Sequence, residues 1–176
     1  ENIHALLLRG RVYLLAGRPE EAMEDFDEVL RLEPENTDAL NGKGDVLTST
    51  EKYLEAIEIY SKIIAADPGN TDALIDRARC HEKLGDLASA IVDLSAAIAL
   101  DPDLNEILKA KLASLHIQQG EQLQEDGQWE DALASFRAAG EADERARVKA
   151  EDAEALLYRK RANQLIIDNA PEAAIA

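Results

Sequence analysis

Leu30–Asn36 reads LRLEPEN, Ile64–Asn70 reads IAADPGN and Ile98–Leu104 reads IALDPDL, so Pro34, Pro68 and Pro102 close similar phrases 34 residues apart. Working outward from each proline, the same residue types return in the same order. Leu6, Leu40 and Leu74 are followed by Gly10, Gly44 and Ala78, then by Ala22, Ala56 and Ala90, then by Phe26, Tyr60 and Leu94. Apolar and small residues at three and four residue intervals, as in Ala22, Phe26, Val29 and Leu30, predict helices. Gly17 and Gly85 interrupt the phrase midway and suit a left-handed helix cap. Pro19 with Glu20 and Glu21 suits the first turn of a second helix, where no amide hydrogen bond is lost and the dipole favours acid. Each unit is therefore predicted to be a helical hairpin.

The composition agrees with an all-α chain. Of 176 residues, 46% are hydrophobic but only 4% are aromatic, which points to helices packed through small residues. The 36 acidic residues outnumber the 19 basic ones, giving a formal charge of −17. Such acidity argues against nucleic acid, whose phosphates need Lys or Arg, and against an anionic membrane surface. No run of about 18 apolar residues occurs, so no membrane span is expected. The start at Glu1 carries neither a secretion signal nor an initiator Met and reads as a piece of a longer chain. The lone Cys80 excludes an internal disulfide and fits a reducing, cytoplasmic compartment.

These landmarks resemble those of the tetratricopeptide repeat (TPR) family, whose 34-residue helix-turn-helix unit has a large apolar residue, small residues at the helix crossing, an aromatic and a terminal proline. The resemblance implies a right-handed superhelix of stacked hairpins. Small residues at the crossing let two helices come close, and the reading pairs Gly10 with Ala22 and Gly44 with Ala56. Leu6, Tyr13, Phe26, Leu40 and Tyr60 then fill the space between neighbours.

After Pro102 the period changes. The alanine of the second helix sits at Ala22, Ala56, Ala90, Ala132 and Ala174, at spacings of 34, 34, 42 and 42 residues. The units are read as 3–36, 37–70 and 71–104, then a fourth TPR-like unit at 105–146 with an extended first helix, then a truncated fifth unit or capping helix at 147–176. Gly120, Gly127, Trp129, Ala132 and Phe136 mark the fourth; Ala162, Leu165, Pro171 and Ala174 mark the fifth. No breaker lies between Asn105 and Gln119, so eight extra residues should lengthen the first helices by about two turns, ~12 Å. These helices are expected near 105–126 and 142–168. The pattern weakens here, with Glu144 in place of a terminal proline and His116 in place of a large apolar residue. Leu104, Ile107, Leu108, Leu112 and Leu115 would be buried either against another chain or in a self-packed end cap.

In the family the first helices line a concave wall suited to a peptide or partner helix. By similarity, that wall here takes His4, Leu7, Leu8, Arg11, Leu14 and Leu15 from unit one, and Asp38, Asn41, Gly42, Asp45, Thr48 and Ser49 from unit two. Unit three gives Asp72, Ile75, Asp76, Arg79, Glu82 and Lys83, and unit four Ser114, Ile117, Gln118, Glu121, Gln124 and Glu125. Asn41, Gln118 and Gln124 can pair with a peptide backbone, while Asp38, Asp45, Asp72, Asp76 and Glu121 favour Lys or Arg on a ligand. The family's clamp for an acidic C-terminal carboxylate needs Lys, Asn and Arg where this chain has Leu7, Arg11, Gly42, Asp72 and Asp76. That clamp is absent, and its charge is reversed at two positions.

Other constellations give way to structural readings. Cys80 beside His81 is not a nucleophilic pair, because adjacent helical residues point about 100° apart and no Asn or Asp is evidently placed to serve them. His4, His81 and His116 fall on different hairpins without metal-ligand spacing. Gly42, Lys43, Gly44 and Asp45 lack the length and ending of a phosphate loop. Arg159, Lys160 and Arg161 read as a charged helix face supported by Glu151 and Glu154. Trp129 and Tyr53 are expected to cover hairpin ends. No cofactor, metal or catalytic residue is expected. The sequence points to a non-catalytic scaffold or adaptor binding a basic or apolar protein or peptide within a larger assembly. The alternatives are a co-chaperone-type module holding client segments on Leu7, Leu8, Leu14 and Leu15, and a docking part of a larger enzyme.

Overall fold

The structure, a computed structural model, describes residues 2–101 and 105–168; Pro102, Leu104, Pro171, Ala174 and the side chain of Leu165 fall outside it. Its helices are α1 (Ile3–Leu15), α2 (Pro19–Leu32), α3 (Thr37–Ser49), α4 (Tyr53–Ala66), α5 (Thr71–Lys83), α6 (Leu87–Leu100), α7 (Asn105–Glu125), α8 (Trp129–Ala142) and α9 (Arg147–Asp168). No strand occurs among the described residues. The chain forms two compact units, 1–101 and 102–176. In the first, α1–α2, α3–α4 and α5–α6 pair as hairpins, and α2 packs on α3 and α4 on α5. In the second, α8 packs on both α7 and α9.

Each of the first three hairpins opens on the same device. Asn2, Asn36 and Asn70 accept hydrogen bonds from the amides of Ala5, Ala39 and Ala73 at 3.3, 3.0 and 2.9 Å, filling a donor left open at the helix start. The turns are equally regular. Gly17, Gly85 and Gly127 adopt φ of 70, 79 and 75°, and the amide that follows each folds back to Tyr13, His81 and Leu123 at 2.9, 2.9 and 2.8 Å. In the second hairpin Glu51 occupies this left-handed site with φ 60°, and Lys52 N–H still bonds Leu47 O at 2.8 Å.

The small residues meet large ones, and not the alanines expected. A Cβ on Gly10 would lie 2.9 Å from the Phe26 ring, on Gly44 2.6 Å from Tyr60, and on Gly120 2.5 Å from Phe136. Gly10 thus faces Phe26 and not Ala22, and Gly44 faces Tyr60 and not Ala56. The cause is antiparallel geometry: Gly10 and Phe26 are equally far from the turn at Arg18, whereas Ala22 lies much nearer to it. Ala22, Ala56, Ala90 and Ala132 are all fully buried beneath these contacts.

The long first helices are 21 and 22 residues, against 13 in α1, α3 and α5. The expected start of the last helix at 142 is corrected. Ala142 ends α8, Asp143 is extended at φ −143°, and its carboxylate accepts from Arg145 N–H at 2.9 Å in a single 3-10 turn, Glu144–Ala146. Of the surplus apolar residues, Leu112 and Leu115 are buried while Ile107 stays 82% exposed.

Candidate functional site

The face carried by α1, α3 and α5 holds most of the residues singled out from sequence. Arg11 on α1 donates to Asp38 on α3 at 2.8 Å, directly tying two first helices. Asp76 and Arg79 form an ion pair one turn apart on α5. On α3 stands Asp45, whose carboxylate accepts from the Tyr60 hydroxyl at 3.1 Å and feels both Arg79 and Arg11. Burial pushes its pKa up, and the Tyr60 bond and the two guanidiniums only partly offset this. Tyr60, Thr48 and Cys80 continue the polar chain inward, with Thr48 Oγ1 3.5 Å from the Tyr60 hydroxyl and 3.4 Å from Cys80 Sγ. Asp72 is exposed at the start of α5, and Glu82 is half-buried near its end. Asn41 is half-buried, and its Oδ1 has no hydrogen-bond partner among the described residues.

Several expected wall positions are corrected. Gly42 does not face the wall, because a side chain there would overlap the Phe26 ring. Leu7 is buried in the first core cluster and Leu14 is half-buried against it, which leaves Leu8 at 50% and Leu15 at 89% exposure. Gln118 and Glu121 are exposed on α7, in the second unit, with Gln118 Nε2 3.5 Å from Ser114 Oγ.

The remaining constellations resolve into packing. Cys80 is fully buried and burial pushes its thiol pKa up, the wrong direction for a nucleophile. Contrary to expectation His81 does meet an acid, with Nδ1 3.3 Å from Asp86 Oδ2. Burial lowers the pKa of His116, whose Nδ1 has no hydrogen-bond partner among the described residues. Arg161 reaches Glu130 on α8 at 2.6 Å, while Glu154 and Glu151 are taken by Arg137 and Arg147, each at 3.1 Å. The acids expected to support the basic run are thus engaged elsewhere. Trp129 does pack at the hairpin end, against the cluster of Ala132, Phe136 and Leu157. Among the described residues no helix is long and apolar enough to cross a membrane.

Sequence reading missed the repeated clamps beneath the face. Arg9 grips Asp25 through two bonds of 2.8 and 2.6 Å, and Arg77 grips Asp93 at 2.8 and 2.7 Å while also donating to Ser61 at 3.0 Å. In the fourth hairpin the corresponding pair is Gln119 and Ser135, joined at 3.1 Å. The signal was available, since Arg9 and Arg77, like Asp25 and Asp93, stand two repeat lengths apart.

The tetratricopeptide repeat family model matches residues 7–71 and 62–105, more than half of the chain. The chain belongs to the tetratricopeptide repeat family, whose fold is a protein-interaction scaffold. Among solved structures it is similar to MamA from Desulfovibrio magneticus RS-1, 24% identical over 82% of this chain and 77% of that one, with a TM-score of 0.59. It is equally similar to MamA of AMB-1, 24% identical over 81% of this chain and 79% of that one, TM-score 0.59. PcrH from Pseudomonas aeruginosa is 26% identical over 64% of this chain and 87% of its own, TM-score 0.57. No curated protein matches the chain significantly.

Proposed function

We propose that the chain is an interaction module of a larger assembly, whose α1, α3 and α5 face binds a protein segment bearing Lys or Arg. The observation that carries this reading is the position of Asp45 on the central helix, between Arg11 and Arg79 of the helices on either side. Charge runs across all three helices, and carboxylates outnumber guanidiniums: Asp38, Asp45, Asp72 and Asp76 against Arg11 and Arg79. Asp38 and Asp76 already hold those arginines, so the attraction for a cationic segment centres on Asp45 and Asp72. The half-buried Asn41 lies one turn from Asp45 and can serve a peptide backbone. Crosslinking mass spectrometry on the native full-length protein tests this. Crosslinked partners should map to this face, and Asp72→Lys/Asp76→Lys should lose them; an unchanged partner set would remove the face from the account.

A second reading has its own observation. Leu8, Val12 and Leu15 are 50, 62 and 89% exposed at successive turns of α1, an apolar stripe suited to holding unfolded client segments. Protection of a heat-unfolded client that basic peptides fail to compete would favour that reading.

A further inference from the structure

A glycine stands in α8 where the other second helices carry a large apolar residue. Leu30, Ile64, Ile98 and Gly140 share one repeat position, each eight residues after the alanine at Ala22, Ala56, Ala90 or Ala132. Leu30 and Ile64 pack half-buried against the cores of their hairpins, and Ile98 is half-buried too. Glycine weakens a helix interior, and here it also withdraws an apolar side chain from between α8 and α9. What remains is a groove of about 470 Å³ with Phe136, Gly140 and Ala150 among its lining. Even a Cβ on Gly140 would stay 3.7 Å from its nearest neighbour, the Cβ of Ala150.

The charges along the groove select what fits it. Glu141, Glu144, Glu151 and Glu154 line it together with Arg137 and Arg147. Arg137 is held by Glu154 and Arg147 by Glu151, each at 3.1 Å. Glu141 and Glu144 are exposed and make no hydrogen bond or ion pair among the described residues. An apolar side chain would cover the floor and leave these two carboxylates unpaired, whereas a small cation would leave the floor bare. An arginine supplies both an aliphatic stem and a forked cation that suits carboxylates. We propose that the groove between α8 and α9 receives an arginine side chain of a partner protein, with its stem over Gly140 and Ala150 and its guanidinium on Glu141 and Glu144. Every residue of this site belongs to the second unit, so it stands or falls independently of the face on α1, α3 and α5.

The probe is N-acetyl-argininamide, which presents the side chain without terminal charges, titrated into the isotope-labelled chain and followed by NMR. Saturable shifts of the Gly140 and Ala150 amides are expected, and the citrulline analogue, alike in shape but uncharged, should bind about tenfold more weakly or worse. Gly140→Leu gives α8 the apolar residue of the other hairpins, keeps every charge and should abolish the shift at Ala150. Glu141→Gln/Glu144→Gln keeps the groove open and should weaken binding by about tenfold or more. Both variants should keep the circular dichroism spectrum of the unaltered chain. Asp72→Lys/Asp76→Lys should leave this binding unchanged, which separates failure here from failure of the first face. No saturable shift in the unaltered chain, or binding that survives Gly140→Leu, overturns the proposal, the latter because acidity alone would then hold the cation. Tighter binding of free arginine than of the blocked amide also overturns it, since a metabolite and not a partner's side chain would then be the occupant.

Discussion

The ring of Phe26 occupies the space that a side chain at Gly42 would need, so a residue of α2 is held between the backbones of α1 at Gly10 and α3 at Gly42. That contact sets how closely the first two hairpins stack. Glycine in a helix interior costs about 0.8–1.0 kcal/mol relative to alanine, yet here the methyl group would meet a rigid, fully buried ring. Gly42→Ala is expected to destabilise by about 1–3 kcal/mol, the usual range for overpacking. Gly140→Ala on α8 is its control. There a Cβ would lie 3.7 Å from its nearest neighbour, and the change should stabilise by up to about 1 kcal/mol. Urea denaturation of the two variants should shift in opposite directions.

Glu51 holds a left-handed conformation that glycine supplies in three other hairpins. An L side chain there costs roughly 1–2 kcal/mol, of which glycine's greater freedom in the unfolded chain returns a part. Glu51→Gly should therefore stabilise by about 1 kcal/mol, seen as a higher midpoint in thermal melts. Gly85→Glu should show the reverse.

The two guanidinium clamps differ in how far water reaches them. Arg77 is 22% exposed and Asp93 5%, while Arg9 is 58% exposed over a similarly buried Asp25. Asp93→Ala would strand a partly enclosed cation and should cost about 3 kcal/mol. After Asp25→Ala, water can solvate Arg9, and the loss should be smaller, about 1–2 kcal/mol. Equilibrium denaturation of both variants under one set of conditions checks the ordering.

Asp45 supplies a pH dependence. Its pKa is raised by burial above its unfolded value, so proton binding favours the folded state. That contribution is complete below the unfolded pKa and is lost as pH rises through the folded one. Asp45→Asn imitates the protonated form and keeps an acceptor for the Tyr60 hydroxyl. The variant should melt higher than the unaltered chain at pH 7, and the gap should close as pH falls through the carboxylate range.

How much of this was legible in the sequence follows from what repeats. Pro34, Pro68 and Pro102, the small residues at Gly10, Gly44 and Ala78, and the glycine turns at Gly17 and Gly85 keep one period, so the hairpins could be read directly, and the widening of the alanine spacing from 34 to 42 residues marked the two long helices. Partners across the hairpin were harder. Pairing Gly10 with Ala22 ignored that antiparallel helices match residues equidistant from their turn, which makes Phe26 the neighbour. Gly42 falls on the wall by similarity to the family, and only packing from the previous hairpin reveals its role. Which wall acids are already paired was hidden for a similar reason: Asp38 and Asp76 are engaged by Arg11 and Arg79, which spacing alone could not tell. Arg9, Asp25, Arg77 and Asp93 were passed over because charged residues on helices are usually solvated.

Lys43 sits where Arg9 and Arg77 sit, but Ile59 replaces the aspartate it would grip, and it reaches back at 2.6 Å to Asp27 in the hairpin before it. The modules are therefore not interchangeable beads. Transplanted to the front of an array, the second hairpin would carry a lysine with no acid waiting for it, so the linear order of the units is written into their charges as well as into their chain.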